Sequence, residues 1–271
     1  EYTLDISESR NNGSLNASGR KNYIGGIIGS AGRNRDGKIT VKSTTNVGAV
    51  GVYESTENSY LGGGFGIVEQ NPSMALTFDL FVNNGSVECY NAHTTNAGFC
   101  GFIDLVNDGA AFSLTINNSL NQGFIKTIGD DTFSCGFFCI SKQRNLLDST
   151  VINIGNSINK GVIDGGTSYG IATKVKSVDN VVSMGTVNGE SSNPFFEDRK
   201  AQYSNTFVLD GSCSNITGNH ALFFYSNGQY TIDETQVYHV LNGQAMKRQY
   251  EMMWDQKLGL TKGINISVGN P

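Results

Sequence analysis

Apolar and polar residues alternate in short segments that return at regular intervals along this chain. Each segment carries two apolar residues two positions apart, a spacing that places both side chains on one face of a β-strand. The pairs are Leu4/Ile6, Ile39/Val41, Leu76/Phe78, Leu114/Ile116 and Ile152/Ile154. The pattern therefore predicts several equivalent strands, each buried on one face.

A glycine phrase recurs in phase with these pairs: Asn, any residue, Gly, any residue, aliphatic residue. It occurs as Asn11/Gly13/Leu15, Asn46/Gly48/Val50, Asn83/Gly85/Val87, Asn121/Gly123/Ile125 and Asn159/Gly161/Ile163, with a degenerate copy at Ser183/Gly185/Val187. Its glycines are separated by 35, 37, 38, 38 and then 24 residues. Two markers with one period predict a chain built from stacked structural repeats.

Each repeat has room for three short strands, and one repeat cannot bury its apolar face alone. Stacking the repeats aligns equivalent residues in internal columns, so we predict an all-β fold. Its architecture is a parallel β-solenoid, a right-handed β-helix of about five to six rungs. The repeat Asn is expected at a corner, where its amide can bond its own turn and the next Asn.

The repeat weakens after Gly185, which divides the chain into a predicted β-helix domain (1–196) and a C-terminal capping segment (197–271). The spacing of apolar residues over 236–254 predicts one or two short helices broken near Asn242 and Gly243. A terminal strand is expected at 263–269. Together these elements would form a small α/β cap over the end of the solenoid.

Composition excludes several classes of function. The net charge is −5 and no basic run occurs, which argues against nucleic acid as a partner. The apolar runs are too short for a membrane span. The spacing of the five cysteines matches no zinc site, and small buried thiols are the favoured interpretation because Cys100, Cys135 and Cys139 do not align between repeats. No cofactor or metal site is predicted.

Glycosylation acceptor patterns indicate a secreted or cell-surface location. They begin at six asparagines, which are Asn12, Asn16, Asn84, Asn117, Asn215 and Asn265. We therefore expect an extracellular or cell-surface glycoprotein.

The phrases at 23–29 and 180–189 resemble the repeats of GLUG-type and polymorphic-membrane-protein-like surface proteins, as in large protist surface families. A segment similar to 237–254 follows such repeats in those families, and the resemblance covers about residues 4–258. It implies a right-handed parallel β-helix and a role in attachment or in the extracellular matrix. It implies no catalytic residues.

Catalytic signatures in the chain are incomplete, although β-helices also include polysaccharide lyases and glycosidases. Asp130 and Asp131 resemble the paired carboxylates of polygalacturonases, but the companion motifs of those enzymes are missing. The repeat phase places the pair in a variable polar turn. His93, His220 and His239 are expected in a turn, in the segment after the repeats and in the helical cap.

The leading prediction is a non-enzymatic protein that acts in adhesion or as a structural building block, with a host or matrix protein or a glycan as partner. Its ends are expected to associate head to tail: Leu4 and Ile6 would form an open edge, and Ile264, Ile266 and Val268 a strand that pairs with it. The alternative is a carbohydrate-binding or polysaccharide-processing β-helix. Candidate sugar-stacking residues are Tyr53, Tyr60, Tyr90 and Tyr169.

Overall fold

The structure is a computed structural model. It describes residues 2–32, 36–55, 57–70, 73–91, 93–105, 111–141, 150–193, 195, 201–209, 211–213, 224–226, 229–232 and 235–249. The assembly residues Ile264, Ile266 and Val268, the acceptor residues Asn215 and Asn265, and His220 lie outside these ranges.

Strands follow one another in successive turns of similar length. Turn 1 contains β1 (Tyr2–Ser7), β2 (Arg10–Asn11), β3 (Leu15–Gly19), β4 (Tyr23–Gly25) and β5 (Ile28–Gly32). Turn 2 contains β6 (Gly37–Lys42), β7 (Thr45–Asn46), β8 (Val50–Ser55), β9 (Tyr60–Gly62) and β10 (Phe65–Gln70). Turn 3 contains β11 (Met74–Asp79), β12 (Val82–Asn83), β13 (Val87–Cys89), β14 (Thr95–Ala97) and β15 (Cys100–Leu105). Turn 4 contains β16 (Phe112–Asn117), β17 (Leu120–Asn121), β18 (Ile125–Thr127), β19 (Phe133–Cys135) and β20 (Phe138–Ile140).

Later turns are shorter. Turn 5 contains β21 (Thr150–Asn159) and β22 (Ile163–Tyr169), and turn 6 contains β23 (Ser177–Ser183) and β24 (Val187–Asn193). The remaining strands are β25 (Gln202–Leu209), β26 (Phe224–Ser226), β27 (Gln229–Ile232) and β28 (Thr235–Leu241). In turn 5, β22 pairs with both β18 and β19, so one strand replaces two strands and the loop between them.

Three parallel sheets run along the stack, which confirms the predicted β-solenoid. Sheet I follows the order β1, β6, β11, β16, β21, β23, β25, β28. Sheet II joins β3, β8, β13, β18, β22 and β24 with β4, β9, β14 and β19. Sheet III consists of β5, β10, β15 and β20, so four turns contribute to all three sheets, slightly fewer than the five to six rungs predicted.

The main core lies between sheets I and III, and the predicted apolar pairs form its columns. Ile39, Leu76, Leu114 and Ile152 align in register and are fully buried. Burying one such side chain contributes about 1.5–3 kcal/mol. A second core, around Val52 and Leu61, fills the space between the two halves of sheet II.

The predicted asparagine ladder is present at the corner after sheet I. The Nδ2 atoms of Asn11, Asn46, Asn83 and Asn121 each donate to the Oδ1 atom of the Asn one turn further on, at 2.8 or 2.9 Å. Asn46 and Asn83 also donate to the carbonyl oxygen of the glycine two residues ahead, at 3.1 Å. The inner members are fully buried, so the ladder satisfies amides that would otherwise be costly to bury.

A neighbouring corner holds left-handed residues that the sequence reasoning missed. Their φ lies between 46° and 56°. Glu8, Ser43, Leu80 and Asn118 directly follow the sheet I strands of turns 1 to 4, whereas Asn156, Asn180 and Asn205 lie within β21, β23 and β25. Asn tolerates this conformation better than other non-glycine residues, which explains its use in the later turns.

One prediction about the cysteines was wrong, because Cys135 and Cys139 form a disulfide. These two cysteines do not align between turns, and the bond instead spans a sharp corner within turn 4. Their Cα atoms are 6.1 Å apart across that corner. The corner positions equivalent to Cys135 in turns 1 and 2 are Gly25 and Gly62. Cys89 and Cys100 are buried thiols, as expected.

The C-terminal segment differs from the prediction in its first half. Residues 235–241 form strand β28, which pairs in parallel with β25, and only residues 243–249 are helical. His239 therefore lies in a strand rather than in a helix. Threonine, valine and tyrosine favour strands, and β25 offers an open edge, so pairing outweighs the helical spacing. Met246 of the helix is buried against Val182 and Met184 on the flank of the solenoid.

Candidate functional surfaces

The outer face of sheet II is formed by residues that alternate with the buried columns of β8, β13, β18 and β22. Its central column follows from the strand register and consists of Asn16, Gly51, Glu88, Lys126, Asp164 and Asn188. Three adjacent members, Glu88, Lys126 and Asp164, therefore alternate in charge along the solenoid.

Apolar side chains stand on both sides of this charged column. On one side the order is Tyr53, Tyr90 and Ile128, and on the other side it is Phe124 and Val162. These five residues, together with Glu88, Lys126 and Asp164, are called the tyrosine face below. Tyr53, Tyr90, Ile128 and Val162 are four of the seven large hydrophobic side chains that are exposed in the described part of the chain. Such a concentration on one sheet face is typical of interaction surfaces, so this face is a candidate for one.

The two tyrosines of this face stack on each other. Their ring centroids are 5.7 Å apart and their planes differ by 12°. Tyr53 is 58% exposed and Tyr90 is 39% exposed. Because the rings stack along the solenoid, each ring covers one face of the other.

Electrostatic contacts organise the tyrosine face. The Tyr90 hydroxyl donates to Glu88 Oε2 at 2.6 Å, and this hydrogen bond raises the pKa of Tyr90 to about 12. Lys126 Nζ lies 3.9 Å from Asp164 Oδ2 and 5.8 Å from the centre of the Phe124 ring. These exposed contacts are individually weak. The strand register, rather than these contacts, sets the order of the charged groups.

A second aromatic row consists of two tyrosines from the other half of sheet II and one phenylalanine from β15 of sheet III. Tyr23 stacks on Tyr60 at 5.6 Å, and Tyr60 stacks on Phe102 at 4.5 Å. Lys21 Nζ lies 5.3 Å from the centre of the Tyr23 ring, and its hydrogen bond to Tyr23 raises the pKa of Lys21. Burial raises the pKa of Tyr60. The structure thus places Tyr53 with Tyr90 but puts Tyr60 in a separate row, and Tyr169 is buried at 4% exposure.

Asp130 and Asp131 lie in the turn between β18 and β19, as the repeat phase predicted. Asp131 has a left-handed backbone, and its Oδ2 atom lies 3.5 Å from Nδ1 of His93. His93 lies in the equivalent loop of the preceding solenoid turn, between β13 and β14. The His93 backbone N–H also donates to the Asp130 carbonyl oxygen. These contacts join two neighbouring turns at an exposed edge.

The first turn exposes residues whose equivalents are buried elsewhere. Leu4 is 37% exposed and Leu15 is 38% exposed, whereas Ile39 and Val50 in turn 2 are fully buried. Ile6 is half-buried, and β1 pairs with β6 on one side only. This end of the described solenoid therefore presents core side chains and a strand edge.

Three of the described acceptor asparagines, Asn12, Asn16 and Asn84, are exposed, and Asn117 is half-buried. Asn12 and Asn84 occupy the same corner position two turns apart.

A shallow depression of about 450 Å³ on sheet I is lined mainly by small residues such as Gly37, Ala75 and Ser113. Among the residues with described placement, no three His, Cys, Asp or Glu side chains gather into a metal site.

The arrangement defines the class of protein: the chain is a parallel β-solenoid with exposed apolar surfaces on one sheet face and at one end. Comparisons with protein-family models, curated protein sequences and solved structures each find no significant match. The resemblance to GLUG-type repeats therefore stays a prediction. None of the helical residues that the structure describes forms a segment long and apolar enough to cross a membrane.

Proposed function

We propose that this chain is a non-enzymatic β-solenoid protein of the cell surface or extracellular space, which acts in adhesion or as a structural building block. Its partners are host or matrix proteins, glycans or further copies of itself joined through the ends. The observation that carries the proposal is the row of large apolar side chains exposed on the outer face of sheet II, which contains Tyr53, Tyr90 and Ile128. Association through the ends would use the edge of β1 that does not face β6, since open strand edges accept a further strand.

Two features support the location. The Cys135–Cys139 disulfide suits an oxidising compartment, since such bonds are rare in the cytosol. The acceptor patterns that begin at Asn12, Asn16 and Asn84 start at exposed residues. The length of the sheets supports the role as a structural building block, because stacked parallel turns form a stiff body suited to spacing or joining other molecules.

End-to-end association can be tested by light scattering on the full chain. Replacing Leu4 and Ile6 by aspartate buries charge in any joint at the first turn, so we expect large assemblies to disappear. Replacing Lys38, an exposed residue of sheet I, by aspartate is the matched control and should leave the assemblies intact. Truncation after Trp254 should also abolish them if the terminal segment supplies the second partner. Unchanged particle size in the Leu4/Ile6 variant would contradict association at this end.

Carbohydrate binding is the second candidate, favoured by the exposed ring of Tyr53. Aromatic rings stack on the apolar faces of sugars, and the face of Tyr53 turned away from Tyr90 lies beside small residues of β3. A glycan array should then detect binding that Tyr53→Ala removes and Tyr23→Ala leaves unchanged. Binding that survives Tyr53→Ala would exclude this ring as the sugar platform.

A further inference from the structure

Asn16 lies next to Tyr53, at the end of the tyrosine face nearest turn 1. It belongs to the central column of sheet II and pairs with Gly51 of β8. Asn16 is exposed and begins the acceptor pattern that ends at Ser18. Tyr53 is the next outward residue of β8 after Gly51, because alternate residues of a strand share a face. An acceptor asparagine therefore stands diagonally beside an exposed aromatic ring.

A shift in strand register leaves Tyr53 without a partner residue in β3. Ala17 and Ser18, on either side of the shift, pair with the two neighbours of Tyr53 rather than with Tyr53 itself. On its other side the ring stacks on Tyr90, with 5.7 Å between the centroids. The ring face toward turn 1 is thus the one that the stack leaves uncovered, in agreement with the 58% exposure of Tyr53.

Gly51 separates the Asn16 carboxamide from the Tyr53 ring and contributes no side chain between them. A Cβ atom on Gly51 would stand 2.9 Å from Asn16 Oδ1 and 3.5 Å from Tyr53 Cε2. Both groups therefore border the same position on the sheet surface. A substituent on the Asn16 amide nitrogen has room there and reaches the uncovered face of the ring.

We propose that Asn16 carries an N-linked glycan whose first sugar packs on the uncovered face of Tyr53. The inference rests on the extracellular location proposed above and adds the modified residue and its contact. In the transfer, the Asn16 amide nitrogen displaces the diphosphate leaving group from C1 of a lipid-linked sugar donor and loses one proton. The apolar C–H face of the sugar would then extend the stack of Tyr90 and Tyr53 by one layer toward turn 1.

Two other acceptor sites of the described chain have different surroundings. Asn12 Oδ1 accepts from Arg10 Nε at 2.7 Å, and Asn84 Oδ1 accepts from Gln122 Nε2 at 3.2 Å. Both asparagines lie at the corner before the sheet II strands rather than on the outer face of that sheet. A glycan on Asn84 therefore serves as a matched control for one on Asn16.

Mass spectrometry of peptides from the full chain, secreted by eukaryotic cells, tests the site. We expect the mass of a glycan on Asn16 and its loss in Ser18→Ala, which removes the acceptor pattern but keeps the asparagine. A bare Asn16 beside an occupied Asn84 would contradict this inference alone. Acceptor sites that all stay bare would contradict the proposed extracellular location as well.

Thermal unfolding of the secreted chain tests the contact with Tyr53. Ser18→Ala should lower the Tm by about 2 °C when Tyr53 is present and by less than about 0.5 °C in a Tyr53→Ala background. Asn84→Gln, the control, should change the Tm equally in both backgrounds. The same variants, produced without glycosylation, correct for the effects of the substitutions themselves.

NMR of the glycosylated chain tests the geometry directly. The ring current of Tyr53 should shift proton resonances of the first sugar upfield, and Tyr53→Ala should remove that shift. Unshifted sugar protons, or a Tm loss that does not depend on Tyr53, would overturn the proposal. A glycosylated chain that binds free glycans through Tyr53 would also overturn it, because the ring face would then be unoccupied.

Discussion

Interior and terminal turns of this solenoid place equivalent residues in different surroundings. In the interior, Leu76 is covered by a turn on each side, and Asn83 both accepts from and donates to its neighbours. In the first turn Leu4 is partly exposed, and in turn 6, which β25 follows, Ser183 replaces the ladder asparagine. The Ser183 hydroxyl is buried, and no described residue bonds it. A repeated residue therefore stabilises the fold only where the next turn completes its contacts.

The largest expected effect comes from truncating the apolar column. Leu76→Ala should lower the free energy of unfolding by about 3 kcal/mol, because it opens a cavity between two stacked turns. Leu4→Ala should cost less than about 1 kcal/mol, since that side chain is already partly hydrated. Urea denaturation measures both values. Equal losses would show that turn 1 is as well covered as turn 3.

Breaking the asparagine ladder should have the next largest effect. Asn83→Ala leaves Asn46 without its acceptor and Asn121 without its donor, so we expect a loss of about 2–3 kcal/mol. The neighbouring Asn84 is exposed, and Asn84→Ala should change stability by no more than about 0.5 kcal/mol. Thermal or urea unfolding of unglycosylated chain compares the two. A loss in the Asn84 variant that matches that of Asn83 would remove the special role of the ladder.

Extending the ladder should stabilise the protein. Ser183→Asn would offer an Oδ1 acceptor to Asn159 Nδ2, and we expect a gain of about 1 kcal/mol. Ser183→Ala is the matched control: it removes a buried hydroxyl that no described residue bonds, and should be neutral or slightly stabilising. If Ser183→Asn destabilises the chain, the column has no room for an amide at this turn.

The smallest effect concerns the left-handed corner. Ser43 has φ of 49°, and later turns use asparagine at the same position. Ser43→Asn should raise the free energy of unfolding by about 0.5 kcal/mol because asparagine adopts this conformation at lower cost. Ser113→Asn, on an extended strand, should give no gain. If both variants raised the free energy of unfolding equally, the left-handed conformation of Ser43 would not be the cause of the gain.

The features that could be predicted from the sequence are those that every turn repeats. Leu76, Leu114 and Asn121 must fit the turns above and below, so their chemical type recurs and reveals both columns and ladder. The left-handed corner escaped notice because Glu8, Ser43 and Leu80 share a conformation without sharing a chemistry. The Cys135–Cys139 bond depends on the path of one corner, which no period encodes.

The candidate surface was only half predicted. Tyr53 and Tyr90 stood out as aromatic residues near turns, but their stacking depends on the register between β8 and β13. Phe124 and Val162 directly precede the buried residues Ile125 and Ile163, and the sequence alone does not distinguish an outward apolar residue from its buried neighbour. Their position beside Lys126 and Asp164 follows only from the outward direction of alternate residues in β18 and β22.

The asparagine ladder gives the solenoid a direction. All four amides donate toward the later turns, so the ladder is a one-way chain of hydrogen bonds whose dipoles add. Asn11 presents an acceptor oxygen at the first turn, where it now receives the Gly13 N–H at 3.0 Å. Two first turns placed together would set acceptor against acceptor. A joint at this end can continue the ladder only if the incoming turn brings a donor, which makes any such growth polar.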